Sequence, residues 1–339
     1  MVLAVRRGYR VDVMDDAGLT GTGEIAPLPE AGTERPSASK RAATAACALP
    51  AKDREGDLAS IGPLLDELGL THRVPAARAG FELALLDLAA KRKGCRVADL
   101  LSNGAAPLPV PISALAAGET DAELAKRAAG AVRGGIGTLK LKVGSRPLRD
   151  DIRRAAAIRE AVGMQVKMRV DANRAWPLEE ALAALASLRE VEPEFVEEPC
   201  TDLLGLLAVA PDSGVPIAAD ESARPSASAL LTGPRRPQFL ILKVPPMGGL
   251  LPAWEVARRA EGAGVRVVVT SCLESPIGLA GALHLASALQ AATPDAPAAG
   301  LGTLELFAGP SGGALPVTDG LMALPPGPGL GLELPAEAR

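Results

Sequence analysis

Residues 166–173, Val166-Lys167-Met168-Arg169-Val170-Asp171-Ala172-Asn173, form a short β-prone run that stops on an acid. The same design recurs on both sides of it. Gly137-Thr138-Leu139 leads into Lys140-Leu141-Lys142, and Phe195-Val196 into Glu197-Glu198-Pro199. Pro216-Ile217-Ala218-Ala219 leads into Asp220-Glu221-Ser222, and Phe239-Leu240-Ile241-Leu242 into Lys243. Runs this short and apolar have the character of strands covered on both faces. Between them lie Ala-, Leu- and Arg-rich stretches, among them 151–161, 178–188 and 253–263, with helical composition and length. Strand alternating with helix predicts an α/β fold with a parallel sheet.

In a closed β/α barrel the carboxyl ends of neighbouring strands open on one mouth, so acids far apart in sequence can share one ion. Asp171, Glu197 and Asp220 would repel each other there without a cation. Their hard oxygens suit Mg²⁺, with Mn²⁺ able to substitute, and no cluster of His or Cys competes for a softer metal. Strand alternation puts Lys140 and Lys142 on one face and Leu139 and Leu141 on the other, while Lys243 enters from a later strand. A lysine in water titrates near ~10.4, too high for a base at neutral pH. Neighbouring cations and desolvation are the expected means of lowering it. The two histidines, His72 and His284, sit in linker or helix-like contexts away from the strand ends, so the base is expected to be a lysine. Alternation does not choose between Glu197 and Glu198. Any one of these charges alone reads as a solvated loop residue; the ordered set does not.

The K-x-K, D-A-N, E-E-P, A-D-E-S and later Lys elements, in this order and rough spacing, resemble the enolase superfamily, in the branch that carries a lysine on each side of the active site. Three further segments make the chain most similar to the o-succinylbenzoate synthase family, the dehydratases of menaquinone synthesis. They are Gly23-Glu24-Ile25-Ala26-Pro27-Leu28-Pro29, Arg169-Val170-Asp171-Ala172-Asn173-Arg174-Ala175-Trp176, and Ser271-Cys272-Leu273-Glu274-Ser275-Pro276-Ile277-Gly278-Leu279. The resemblance implies a (β/α)7β TIM-type barrel with an α+β capping domain formed by the N-terminal region and the C-terminal tail. It implies Asp171, Glu197 (in preference to Glu198) and Asp220 as metal ligands. Lys142 is implied as general base, Lys140 as its neighbour, and Lys243 as a cation facing substrate from the opposite side. The reaction implied is Mg²⁺-dependent syn-dehydration of 2-succinyl-6-hydroxy-2,4-cyclohexadiene-1-carboxylate to 2-succinylbenzoate. An N-succinylamino acid racemase or a dipeptide epimerase of the same superfamily is the alternative, because opposed lysines can pass a proton from face to face. Dipeptide epimerases carry an Asp-x-Asp element near Ser271 that this chain lacks. A non-catalytic binding protein on the same barrel would not need the complete set, and a Schiff-base aldolase would leave three carboxylates unexplained.

At 339 residues and 48% hydrophobic, the chain can bury a large core. Residues 1–105 are expected to form the cap: a hairpin over 8–26 turning at Asp15-Asp16-Ala17-Gly18, then helices over 36–103. Residues 106–308 would be the barrel, from Val110-Pro111-Ile112-Ser113-Ala114 to Gly302-Thr303-Leu304-Glu305-Leu306-Phe307. Residues 309–339, rich in Gly and Pro, return to the cap by resemblance, and a family member has one more strand before the point where this chain starts. The loop from Gly21 to Pro29 is implied as a lid over the mouth; on turn chemistry alone it is also an ordinary connection. The segment from Ser271 to Ile277 follows the strand-like Val265-Arg266-Val267-Val268-Val269. Its hydroxyls and N–H groups, with Ser271, Cys272 and Glu274 as contacts, could hold a substrate carboxylate, or Ser275 could cap a helix over 279–289. Arg169 and Asn173 flank Asp171 at alternate positions, Arg169 to pair with the ligand carboxylates and Asn173 to reach substrate.

A net charge of −4 with both signs interspersed offers no nucleic-acid groove and no basic face for an anionic membrane. The expected partner is a small-molecule carboxylate, and a homo-oligomer is allowed. No N-terminal secretory pattern and no run of about 20 apolar residues is present, so the expected location is cytoplasmic. Cys47, Cys95, Cys200 and Cys272 are widely spaced without C-x-x-C pairing and read as reduced thiols. His284, Trp176 and Trp254 read as packed side chains.

Overall fold

The computed structural model describes residues 5–49, 58–102, 104–223, 227–293, 295–307 and 315–333. Strands β1 (Tyr9–Met14) and β2 (Thr20–Ile25) make the expected hairpin, with Met14 opposite Thr20. Asp15 closes its turn, Oδ1 accepting from Ala17 N at 3.0 Å and Leu19 N at 2.9 Å. Helices Pro36–Cys47, Leu58–Glu67, Pro75–Arg92 and Val97–Leu101 follow. The hairpin lies directly on Pro75–Arg92: a Cβ on Gly23 would sit 2.0 Å from Gly80 O, so only glycine allows the two backbones to touch. Gly21 to Ile25 is therefore strand rather than free loop. Of the segment expected as a lid, only the part after Ile25 leaves the hairpin.

Strand β3 (Val110–Pro111) is followed by β4 (Ser113–Ala116), β5 (Thr138–Lys142), β6 (Lys167–Asp171), β7 (Phe195–Glu197), β8 (Ile217–Ala219), β9 (Phe239–Leu242) and β10 (Arg266–Val269). The last seven form one parallel sheet in sequential order, with a helix after each strand. Ala299 and Gly300 then join its edges. Ser113 N donates to Ala299 O at 2.9 Å, while Gly300 N donates to Val269 O at 2.9 Å and its carbonyl accepts from Ser271 N at 3.1 Å. The sheet curls until one dipeptide reaches both rims.

Two expected boundaries move. Val110 and Pro111 pair with a C-terminal hairpin, β11 (Val317–Thr318) and β12 (Leu321–Met322), and the parallel sheet starts only at Ser113. Residues 302–307 are turn and 3₁₀ helix, because the bridge has already been made at 299–300. Their alternating pattern covers no sheet, and Leu306 is exposed.

Alternation divides each strand between two cores. Leu139, Leu141, Met168 and Val170 pack outward against the helices. Phe195, Ala218, Phe239, Ile241 and Val268 form a separate cluster inside the curl. The charges at the strand ends are in phase with this inner set.

His284, read as a packed side chain, is fully buried and also a tether. Its Nδ1 accepts from Ala98 N at 3.1 Å, which leaves the proton on Nε2, 3.3 Å from Leu330 O. One imidazole thus joins the helix Pro276–Ala292, the N-terminal helix Val97–Leu101 and the C-terminal segment. Asp87 adds a second link, Oδ1 accepting from Leu330 N at 2.7 Å and Oδ2 from Thr22 N at 2.8 Å. Residues 309–314 and 334–339, part of the expected returning tail, lie outside the described residues.

Burial pushes the His284 imidazole down to about 4. Its folded value lies below the unfolded one, so the stability held by the neutral ring is complete above about pH 6.5 and drains away as pH falls toward 4. The expected loss is about 3 kcal/mol by pH 4. Urea denaturation of wild type and His284→Gln between pH 7 and 4 checks it: the wild type should lose more stability over that range than the variant. Among the described residues no helix is long and apolar enough to cross a membrane.

Candidate active site

Strand register sets the charges at one height. Lys142 lies opposite Asp171 on the β5–β6 ladder, and Asp171 opposite Glu197 on β6–β7. Asp220 and Lys243 are the first residues after β8 and β9. Three strands separate β5 from β9, so Lys142 and Lys243 rise from opposed walls of the curled sheet.

The three acids are almost sealed, at 1%, 1% and 2% exposure for Asp171, Glu197 and Asp220. Lys140 Nζ stands between two of them, 2.8 Å from Asp171 Oδ2 and 2.8 Å from each Glu197 oxygen. Lys243 Nζ pairs with Asp220. Lys142 Nζ donates to Asn173 Oδ1 at 2.6 Å and lies 3.2 Å from Asp171 Oδ2, with more than half of its side chain exposed. Asn173 thus reaches the lysine first, from a left-handed backbone conformation at φ 45°.

Burial, followed by the charge of Asp171, pushes the Glu197 carboxyl up to about 7, and Asp220 adds to the push. Burial also raises Asp171, yet Lys140 and Lys142 outweigh it and hold that carboxyl below its usual range. Lys140 and Lys243 are held in the charged form. Burial lowers both, but Glu197 and Asp171 around Lys140, and Asp220 beside Lys243, carry them above the ordinary lysine value. Paired with buried acids, they are fixed cations.

Among the described residues no three potential ligands stand ready to hold a metal ion as arranged. Lys140 occupies the position between Asp171 and Glu197. The donor chemistry still fits a hard divalent cation: three buried carboxylates bring hard oxygens together, and burial, with the charges of Asp171 and Asp220, drives Glu197 toward its neutral form.

Glu198, which alternation could not tell from Glu197, turns away at φ 42°. Its carboxylate accepts from Asp220 N at 2.8 Å, Ser222 N at 2.7 Å and Ser222 Oγ at 2.8 Å, tying the end of β7 to the loop that carries Asp220. Arg169 departs from the expected pairing. It faces inward but points toward the amino ends of the strands, where Nε donates to Glu194 at 2.6 Å and Nη1 to Ala298 O at 2.8 Å, beneath the Phe195 ring. The alternate-residue rule put it on the correct face and at the wrong depth.

The segment after β10 is internally bonded. Ser271 Oγ donates to Glu274 Oε2 at 2.6 Å and accepts from Leu273 N at 2.8 Å. Cys272 N donates to Glu274 at 2.7 Å, and Ser275 caps the helix through Ile277 N. Ser271, Cys272 and Glu274 thus bond to one another, Glu274 Oε1 is buried without a partner among the described residues, and the helix cap expected at Ser275 is formed. Cys200 is buried and its thiol is raised to about 11 by burial, as befits an inert filler. His72 is exposed in a turn.

Two residues missed in the sequence hold the loop behind Lys142. Asp151 Oδ2 accepts from Gly144 N at 2.7 Å, and Arg154 Nη1 donates to Lys142 O at 3.3 Å. Both sit in the first two turns of Leu148–Val162, where charged residues are ordinary, so no local signal marks them.

Residues 123–338 match the family described as Enolase C-terminal domain-like. The chain belongs to the enolase superfamily. The o-succinylbenzoate synthase of Thermobifida fusca is 38% identical over 177 residues, which cover 51% of this chain and 54% of that protein. Muconate cycloisomerase 1 of Acinetobacter baylyi is 33% identical over 220 residues, covering 63% and 59%. The chain thus spans little more than half the length of these curated relatives. Among solved structures, a dipeptide epimerase from Enterococcus faecalis superposes with a TM-score of 0.87 at 26% identity, covering 98% of this chain and 96% of that one. These relatives are named for three different activities, a synthase, a cycloisomerase and an epimerase.

Proposed function

We propose that the protein is an o-succinylbenzoate synthase, a dehydratase acting on a (β/α)7β barrel in which the Ala299–Gly300 bridge stands for the eighth strand. The observation that carries this reading is the wall after β10, where neither carboxylate is both exposed and unbonded: Glu274 is 1% exposed, with Oε2 bonded and Oε1 buried without a partner among the described residues. Glu274 is buried against Ser271 and Cys272, and Glu24 is bound by Ser275 and Gly278. An α-ammonium group, as on a dipeptide, would find there only a bonded Glu24 and a Glu274 sealed from solvent. The identity to the Thermobifida fusca synthase supports the same choice.

Formal charge favours an anionic substrate. With Lys142 neutral as the base, Lys140, Lys243 and a bound Mg²⁺ would outweigh the three carboxylates and leave the site positive. Asp171, Glu197 and Asp220 are the residues that would hold Mg²⁺, which when bound supplies charge for an enediolate.

Lys142 takes the ring proton next to the carboxylate, and the C–H electron pair moves into the carboxylate as an enediolate. That pair then returns to the ring as the β C–O bond breaks, and Lys142 gives its proton to the departing hydroxyl. Water leaves and the ring is aromatic. Lys140 and Lys243 stay charged throughout, one on each wall, and stabilise the developing negative charge. Asn173 holds Lys142 Nζ on the mouth side.

N-succinylamino acid racemisation is the second reading, since it uses the same lysine pair and an equally dianionic substrate. Incubation in D₂O with Mg²⁺ separates them. The cyclohexadiene should aromatise, and N-succinyl amino acids should exchange more slowly than it turns over. Exchange of N-succinyl amino acids without any aromatisation would replace the dehydratase by the racemase.

A further inference from the structure

The geometry points to Glu24 as a positioning residue that locks the lid to the wall after β10 and so sets the shape of the substrate pocket on the Lys243 side. Its kinetic consequence rests on the function proposed above; its structural consequence does not.

Glu24 belongs to the hairpin yet caps a helix of the barrel. Its Oε1 accepts from Ser275 N at 3.0 Å, and Oε2 accepts from Ser275 Oγ at 2.7 Å and Gly278 N at 2.9 Å, at the start of Pro276–Ala292. A carboxylate placed there satisfies N–H groups the helix cannot pair itself and meets the positive end of its dipole. A Cβ on residue 278 would stand 2.7 Å from Glu24 Oε2, so the glycine in the S-P-I-G sequence makes room for an acid 254 residues away.

Two other contacts join the same two segments. Arg6 donates to Ala26 O and Pro27 O on the lid side and to Leu273 O and Cys272 O on the barrel side. Leu28 and Ala31 form a small buried cluster with Cys272, apart from the main core. The wall they steady is beside the site: Val269 pairs with Leu242, so residues 270–272 continue next to Lys243. Lid and wall are thus held as one body, and neither can shift without uncapping a long helix.

Cys272 is a built-in reporter, 2% exposed beneath the lid. The test uses the full chain with Cys47→Ser and Cys95→Ser, which removes the two more accessible thiols. Glu24→Gln should let iodoacetamide label Cys272 about tenfold faster and speed amide exchange across 272–279 by a similar factor. Arg6→Met should act in the same direction, and it decides the matter if Glu24→Gln does not fold. With turnover as readout, Glu24→Gln should raise KM several-fold more than it lowers kcat, and Glu24→Asp should recover part of the loss. Unchanged labelling and exchange in folded variants would overturn the lock. Equal loss of kcat and kcat/KM would overturn its role in shaping the pocket. A wild type that aromatises no substrate would instead defeat the dehydratase reading, with the labelling result still standing.

Discussion

Lys142→Ala is expected to lower kcat for aromatisation by about 10²–10⁴-fold, with the fold and Mg²⁺ binding retained. Lys142 is the most exposed of the three lysines, and its Nζ is oriented by Asn173 at 2.6 Å rather than locked between acids. It is therefore the lysine placed to meet substrate, and in the proposed mechanism its removal takes away both the base and the acid for the leaving hydroxyl. Asp171 and Glu197 would keep Lys140, so their arrangement has no reason to change. Absorbance assays of aromatisation, paired with calorimetric titration of Mg²⁺, read the two halves separately. Turnover within about tenfold of the wild type would remove Lys142 from the role.

Lys140→Met is expected to destabilise the metal-free protein by about 3 kcal/mol, and added Mg²⁺ should restore much of that loss. Lys140 is the shared counter-ion of two carboxylates that are about 1% exposed and lie opposite each other on adjacent strands. Without it they face one another unpaired, and Glu197, already raised to about 7, would have to take up a proton. A divalent cation that binds only the folded chain would recover stability in proportion to its affinity. Thermal melts in EDTA and in excess Mg²⁺ decide the point. A variant as stable as wild type in EDTA, with no gain from Mg²⁺, would mean that these acids share no charge deficit and would count against the metal site.

Much of the architecture was legible because parallel strands leave a coarse signature. Buried apolar runs ending in charge, separated by helical stretches, specify β5 to β10 almost to the residue. The errors cluster where the chain departs from that period. Residues 302–307 carry a strand-like pattern but follow a bridge of two small residues, too short to show any periodicity. The expected loop from Gly21 to Pro29 begins too early because Gly21 and Gly23 read as loop glycines, whereas at least Gly23 is a packing glycine against the helix Pro75–Arg92.

The order of charges along the chain settled which side chains face the inside, since alternation is a local property of extended backbone. Depth and partner were decided only by the tertiary structure. Glu197 meets Lys140 whereas its neighbour Glu198 grips the Asp220 loop, and Arg169 descends to Glu194. The hydroxyls and amides of 271–278 are consumed by Glu274, Ser271, Ser275 and the distant Glu24. A hydrogen bond depends on a few tenths of an ångström between atoms brought together by the whole fold, and no local pattern in a sequence encodes that distance.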